Sequence, residues 1–173
     1  MTKQELFGRL LNSYESSYDI EHSFHIKDDI YDAHAFFSVT SAKYVLVKKA
    51  ELWRANCFEH VFFRCLEDLS EEDIGRFSEQ VESYIEPELV RGGSDFPVKD
   101  HMYTFMTCIY ICDGVGDEAE KQIRKFRYVK NYMLGIRGYS EVRLLVFDMK
   151  EKCIFGNRAA KELVKGYKKA GIF

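Results

Sequence analysis

The chain has 173 residues, of which 46% are hydrophobic and 31% charged, a balance that excludes disordered and fibrous proteins. Its two prolines form no proline-rich linker, so we expect one domain over residues 1–173. The net charge of −3 does not by itself predict a nucleic-acid or membrane partner, but residues 1–100 sum to −9 and residues 101–173 to +6. This asymmetry indicates either a basic binding face or an acidic and a basic helix packed apart.

The sequence shows no secretory or membrane segment. The amino terminus lacks the apolar region of a signal peptide, and the longest apolar run, residues 104–112, falls short of the ~20 residues of a spanning helix. The five cysteines form no C-x-x-C pair and are typical of reduced, buried thiols. We therefore expect a cytoplasmic protein without a membrane partner or cofactor.

The amino-terminal part predicts a helix, four strands and a second helix. Thr2-x-x-Glu5 is a capping box that opens the first helix. Residues with strand-like patterns follow at about 18–27, 30–40, 43–53 and 57–66. Their connections are too short for parallel crossovers, so the four strands should form an antiparallel meander. Ser70 then caps a helix that breaks near Pro87.

The remaining residues predict a parallel β-α-β unit. Met102–Cys112 is apolar on both faces, as a central strand is, and the turn Asp113–Gly116 leads into a helix over residues 117–134. A strand over 141–149, a short hairpin and a helix capped by Asn157 complete the chain. We expect an α+β fold with a mixed sheet, made of the four-stranded meander and the β-α-β unit, with helices mainly on one face.

Histidines and carboxylates on neighbouring strands are candidate metal ligands. Asp32 and His34 share a strand face, and the fourth strand brings either Glu59 or His60 near them. Glu59 and His60 point to opposite faces, however, and no spacing forces the cluster together. We predict ordinary cross-strand polar pairs and no metal site.

Two carboxylates follow the central strands and are candidate catalytic residues. Asp148-Met149-Lys150 resembles the D-x-K half of a nuclease site, and Asp113 ends the neighbouring parallel strand. Together they could hold magnesium, with Lys150 assisting. A polar turn is the alternative interpretation of the same residues.

A basic stretch lies in the predicted helix 117–134. Lys121, Arg124, Lys125 and Tyr128 share its outer face, where they could contact nucleic-acid phosphates. The alternative is a solvated helix face, paired with the acidic helix or with an acidic partner.

Three segments carry a resemblance to a known family. They are Glu59-His60-Val61-Phe62-Phe63, His101-Met102-x-Thr104, and the run from Lys125-Phe126-x-Tyr128-x-Lys130 through Arg143-Leu144 and Asp148 to Asn157-Arg158. With them the chain resembles an uncharacterised family of small proteins from anaerobic Gram-positive bacteria, which has a tryptophan at the place of Tyr139. The family has no known activity. The resemblance implies candidate ligand-binding residues without roles: Glu59, His60, His101, Lys130 and Asn157.

The sequence does not determine an activity. Aromatic residues make up 15% of the chain, and no convergent catalytic set is visible. Together these features favour a non-catalytic binding or regulatory domain, expected to form a homodimer or to bind another protein. The alternatives are a magnesium-dependent hydrolase or nuclease using Asp113 and Asp148, and a nucleic-acid-binding protein using helix 117–134.

Overall fold

A computed structural model describes the backbone of residues 1–45 and 50–173 and the side chains of residues 1–41 and 55–173. The helices are α1 (Lys3–Tyr14), α2 (Glu71–Gln80), a π-helix (Val81–Val90), α3 (Asp117–Lys125), α4 (Lys161–Lys169) and two 3-10 turns (Met133–Gly135 and Arg158–Ala160). The strands are β1 (Asp19–Ile26), β2 (Asp29–Val45), β3 (Ala50–Leu69), β4 (His101–Val115), β5 (Val129–Asn131), β6 (Tyr139–Asp148) and β7 (Cys153–Gly156). No helix in these described ranges is long and apolar enough to cross a membrane.

The amino-terminal strands form an antiparallel meander of three strands, β1-β2-β3, where the sequence predicted four. The predicted connection at residues 54–56 lies inside β3, because Asn56 pairs with Thr40 on β2 and with His101 on β4. Backbone pairing on both sides outweighs the turn propensity of asparagine. The middle of the predicted third strand, residues 46–49, lies outside the described residues.

Strands β3, β4 and β6 are parallel neighbours at the centre of the sheet. The predicted unit β4-α3-β6 is confirmed, and α2 with the π-helix supplies a second crossover, between β3 and β4. Strands β5 and β7 both pair antiparallel with the outer edge of β6, β5 near its start and β7 near its end. The mixed α+β sheet is thus as predicted.

Helices cover both faces of the sheet, whereas the sequence pattern predicts them mainly on one. The first face packs against α2, the π-helix and α3, and the second packs against α1 and α4. Cys108 and Ile109, neighbours on β4, show the reason, because Cys108 belongs to the first core and Ile109 to the second. A central strand that is apolar on both sides needs a helical layer on each.

Helix α3 ends at Lys125, nine residues before the predicted end at Leu134. Phe126 leaves the helix with an extended backbone (φ −57°, ψ 132°), and Val129–Asn131 then pairs with β6 as a short edge strand. The hydrogen bonds offered by the free edge of β6 replace those of a longer helix. The basic helix of 117–134 therefore does not exist as one element.

Candidate functional site

The second face of the sheet is only partly covered by α1 and α4. Along β4, Ile109 and Ile111 lie in the buried core beneath these helices. Tyr103 and Phe105 point to the same side, since side chains alternate along a strand, but they are half-buried and outside that core. The uncovered area is named here the open face. Its residues are Phe37, Glu59, Tyr103, Phe105, Tyr139, Glu141 and Arg143, with the buried Cys57 and Thr107 between them.

Glu59 occupies the middle of the open face. Its Oε2 accepts a hydrogen bond of 2.8 Å from the Tyr18 hydroxyl, and its Oε1 accepts one of 2.7 Å from Thr107 Oγ1. Arg143 Nη1 lies 3.6 Å from the same Oε1. The carboxylate, carried by β3, is therefore held by groups from β4, β6 and the segment before β1.

Arg143 has a polar atom that the described protein leaves without a partner. Its guanidinium stacks on Phe105, with Cζ 3.1 Å from the ring centroid, and its side chain is 18% exposed. Its Nε is buried and has no hydrogen-bond partner among the described residues. An unsatisfied buried donor of this kind is rare in folded proteins.

Aromatic rings flank the Glu59–Arg143 pair on both sides. Tyr103 and Phe105 have ring centroids 4.6 Å apart, and Tyr139 lies 6.2 Å from Tyr103. On the other side, Tyr18 and Phe37 are 5.2 Å apart. The open face thus combines ring surfaces for stacking with a central ion pair for hydrogen bonding.

The hydroxyls around Glu59 act as neutral donors. Burial, followed by the negative charge of Glu59, raises the pKa of Tyr18 well above its usual range. Burial, followed by a hydrogen bond with Cys57, raises the pKa of Tyr103. Both phenols therefore remain protonated at neutral pH and suit ligand contacts rather than acid–base chemistry.

The histidines named from the sequence lie away from Glu59. His60 and His34 are buried on the first face, where His34 Nε2 and His60 Nδ1 are 3.0 Å apart. His101 contacts Thr104 Oγ1 and the Arg137 carbonyl oxygen, each at 2.8 Å. That hydroxyl–imidazole contact is inaccessible to a substrate because both side chains are buried.

Asp113 and Asp148 do not share a site. Asp113 is exposed and bonds Lys3 Nζ at 2.5 Å, on the side where α1 packs. Asp148 is buried, and its Oδ1 accepts from the amides of Lys150 and Glu151, each at 3.0 Å. Asp148 lies in register with Cys112 of the first core, so Asp113, the next residue, faces away from it. The magnesium site expected from Asp113, Asp148 and Lys150 is thus not formed, because residues one step apart on paired strands point to opposite faces.

Metal coordination is not prearranged among the described side chains. Among the side chains of residues 1–41 and 55–173, no three of His, Cys, Asp or Glu are placed to hold an ion. Asp32, considered with the histidines, instead accepts a 2.7 Å hydrogen bond from the amide of Cys65.

Lys130 and Asn157 make internal contacts. Lys130 Nζ lies 2.9 Å from Oε2 of the buried Glu86. Asn157 Oδ1 accepts from the amides of Leu144 and Ala160, and its Nδ2 donates to the Val142 and Phe126 carbonyls. The predicted helix cap at Asn157 is confirmed.

The basic residues expected on one helix are divided. Lys121 pairs with Glu118, and Arg124 pairs with Glu120, each at 2.6 Å, so part of the set is neutralised on α3 itself. Lys125 and Tyr128 instead line a cavity whose other wall includes Arg158. Lys125 and Tyr128 therefore belong to a surface that several segments of the chain form together, not to one face of α3.

A known protein family matches nearly the whole chain. Residues 2–169 match the family described as Domain of unknown function (DUF8052). The chain belongs to this family. A family of unknown function is what the resemblance predicted. Neither a curated protein nor a solved structure gives a significant match to the chain.

Within this member of DUF8052, sequence reasoning found Glu59 but missed its partners. The sequence pattern predicts only strand positions for Tyr18 and Thr107, and the resemblance includes Arg143 without giving it a role. A lone arginine inside the apolar run Val142–Phe147 was the available signal, since a charge there needs a partner. The partner of Arg143 is Glu59, and only strand register identifies it, because register sets Glu59 beside Phe105 and Thr107 beside Arg143.

Proposed function

We propose that this chain is a non-catalytic binding domain that holds a planar, ring-bearing ligand on the open face. One observation carries the proposal: the Arg143 guanidinium, on a side chain that is 18% exposed, lies stacked among half-buried rings. A ring that stacks on Tyr103 and Tyr139 and offers an acceptor to Arg143 would use both features. Stacking of a base on an aromatic side chain contributes ~1–3 kcal/mol.

Nucleosides are the direct probe, because they present planar hydrogen-bonding rings without phosphate. We expect saturation-transfer NMR to detect binding of at least one of adenosine, guanosine, cytidine and uridine. Tyr139→Ala and Arg143→Met should each abolish the signal, while Phe96→Ala, which removes an exposed ring outside the open face, should preserve it. Absence of transfer from all four nucleosides, or full transfer in the Tyr139 and Arg143 variants, would refute the proposal.

We also propose that the domain is a homodimer. The loop after β5 exposes Leu134 fully and Ile136 at 78%, with Met133 at 44%. Met133 and Leu134 both have positive φ angles, of 48° and 54°, which are costly for bulky side chains. Large apolar side chains that are exposed in a strained backbone conformation support contact with another chain. We favour a second copy of this chain, bound at the β5 edge of the sheet.

A cytoplasmic location is part of the same proposal. All five cysteines are free thiols, and three of them are buried. Free buried thiols are typical of proteins from reducing compartments.

A further inference from the structure

A basic groove runs along the outer edge of the sheet, beside the open face. It consists of two adjoining cavities of about 470 and 530 Å³ that share Arg124, Asn157 and Arg158. The carboxyl end of α3 and residues 126–128 form one wall, and the start of α4 forms the other. The groove thus joins segments that are about 30 residues apart in the chain.

The charge of the groove is largely uncompensated. Arg124 and Lys165 have carboxylate partners, Glu120 and Glu162. Among the described side chains, no carboxylate lies within ion-pair distance of the other cations, which are Lys125, Arg127, Arg158, Lys161 and Lys168. Glu141 is the single acid among the residues that line the two cavities. A concave surface with this balance attracts anions.

The groove is continuous with the open face. Glu141 lines the smaller cavity and is in register with Phe105 of the open face, and Tyr139 lies two residues before it on β6. Tyr128 adds an aromatic side chain to the groove wall. An extended ligand lying in the groove can therefore reach the rings of the open face across β6.

We propose that the groove binds the phosphates of a single-stranded nucleic acid whose bases stack on the open face. The groove supplies backbone charge and the open face supplies ring surfaces, the combination by which proteins bind single strands. A duplex would keep its bases stacked inside and leave the rings unused. The base-stacking part rests on the proposed function, whereas the phosphate contacts do not.

The test is fluorescence anisotropy with a labelled oligouridylate of about 12 nucleotides. The triple variant Lys125→Glu, Arg127→Glu, Arg158→Glu should bind at least about tenfold more weakly, and the slope of log K against log salt should fall by roughly 2, since each lost contact on a single strand contributes about 0.7. The matched control is Arg9→Glu, Lys150→Glu, Lys152→Glu, which changes the charge equally at exposed positions outside the groove. Circular dichroism verifies folding, and Lys161→Glu, Lys168→Glu serves as a second groove variant.

The outcomes separate the two proposals. Loss of oligouridylate binding in the groove variants but not in the control supports the inference, and added loss in Tyr139→Ala supports base stacking. If the groove variants bind like wild type while nucleosides still bind the open face, the groove proposal fails alone. If labelled polyglutamate binds and labelled oligouridylate does not, the groove recognises an acidic protein and the inference is overturned.

Discussion

Glu86 and Glu59 are both carboxylates enclosed by the fold, but their neighbours give them different roles. Glu86 is almost fully buried and is bonded by Arg91, Lys130 and Tyr132. Burial raises the pKa of Glu86, but these hydrogen bonds outweigh it and hold the pKa below its usual value. Every donor around Glu86 is used, which is typical of a structural site. Around Glu59, by contrast, the Nε of Arg143 has no hydrogen-bond partner among the described residues.

The buried histidine pair should make the protein acid-sensitive. Burial lowers the pKa of His34 to about 4, and burial followed by the charge of His34 lowers that of His60 to about 3, from 6.5. As the pH falls, these histidines therefore bind protons in the unfolded chain before they do so in the folded protein. Above about pH 6.5 the free energy of unfolding does not depend on the protonation of these histidines. Below that pH it falls by up to about 1.4 kcal/mol per pH unit for each histidine, until the pH approaches 4. Urea unfolding at about pH 7 and pH 5 measures this loss.

Replacing both histidines tests the source of that pH dependence. His34→Leu, His60→Leu removes the two hydrogen-bond partners together and should flatten the dependence, leaving the part due to His101, whose pKa burial also lowers. The control His22→Ala, His25→Ala removes two exposed imidazoles and should leave the dependence unchanged. An equally steep loss of stability in the buried double variant would contradict the assignment.

One side chain adds four hydrogen bonds to the junction of β6, β7 and α4. Asn157 caps the 3-10 turn before α4 and joins it to the β6 backbone and to Phe126, which follows α3. Strand β7 and the start of α4 form the basic groove, so Asn157 positions the groove without offering a free polar atom to it.

Asn157→Ala should destabilise the fold by about 2–4 kcal/mol, which combines a lost cap with buried backbone groups left unpaired. Thermal unfolding followed by circular dichroism measures the loss, and Asn131→Ala, at an exposed position on β5, should change stability by less than about 0.5 kcal/mol. A variant of normal stability that no longer binds oligouridylate would instead make Asn157 a ligand-binding residue.

The molecule as a whole separates its surfaces by chemistry. The open face spans β2, β3, β4 and β6, and the basic groove lies at the outer edge of the sheet, where β6 and β7 meet α3 and α4. The first turn of α2 carries Glu71, Glu72 and Asp73. The opposite charges of the two halves of the sequence therefore correspond to different parts of the molecule, and the exposed loop of residues 133–136 adds an apolar surface at the β5 edge.

That loop predicts the oligomeric state. Size-exclusion chromatography with light scattering should give twice the mass of the chain for wild type and the monomer mass for Leu134→Ser, because the substitution removes the most exposed apolar side chain. Ile30→Ser, at a 54% exposed position on β2, is the control and should remain dimeric. A monomeric wild type would contradict the homodimer.

Local patterns in the sequence were sufficient for the elements that depend on neighbours in the chain. The capping box at Thr2, the N-cap Ser70 and the two-sided apolar run of β4 correctly predicted the starts of α1 and α2 and the central strand. Tertiary pairing decided what local pattern cannot encode: Asn56 stays in a strand, Val129–Asn131 leaves a helix, and Asp113 and Asp148 point apart. The arrangement of side chains around Glu59 also depends on tertiary pairing. Glu59 is visible in the sequence, but only strand register, set by hydrogen bonds between distant segments, brings Thr107 and Arg143 to it.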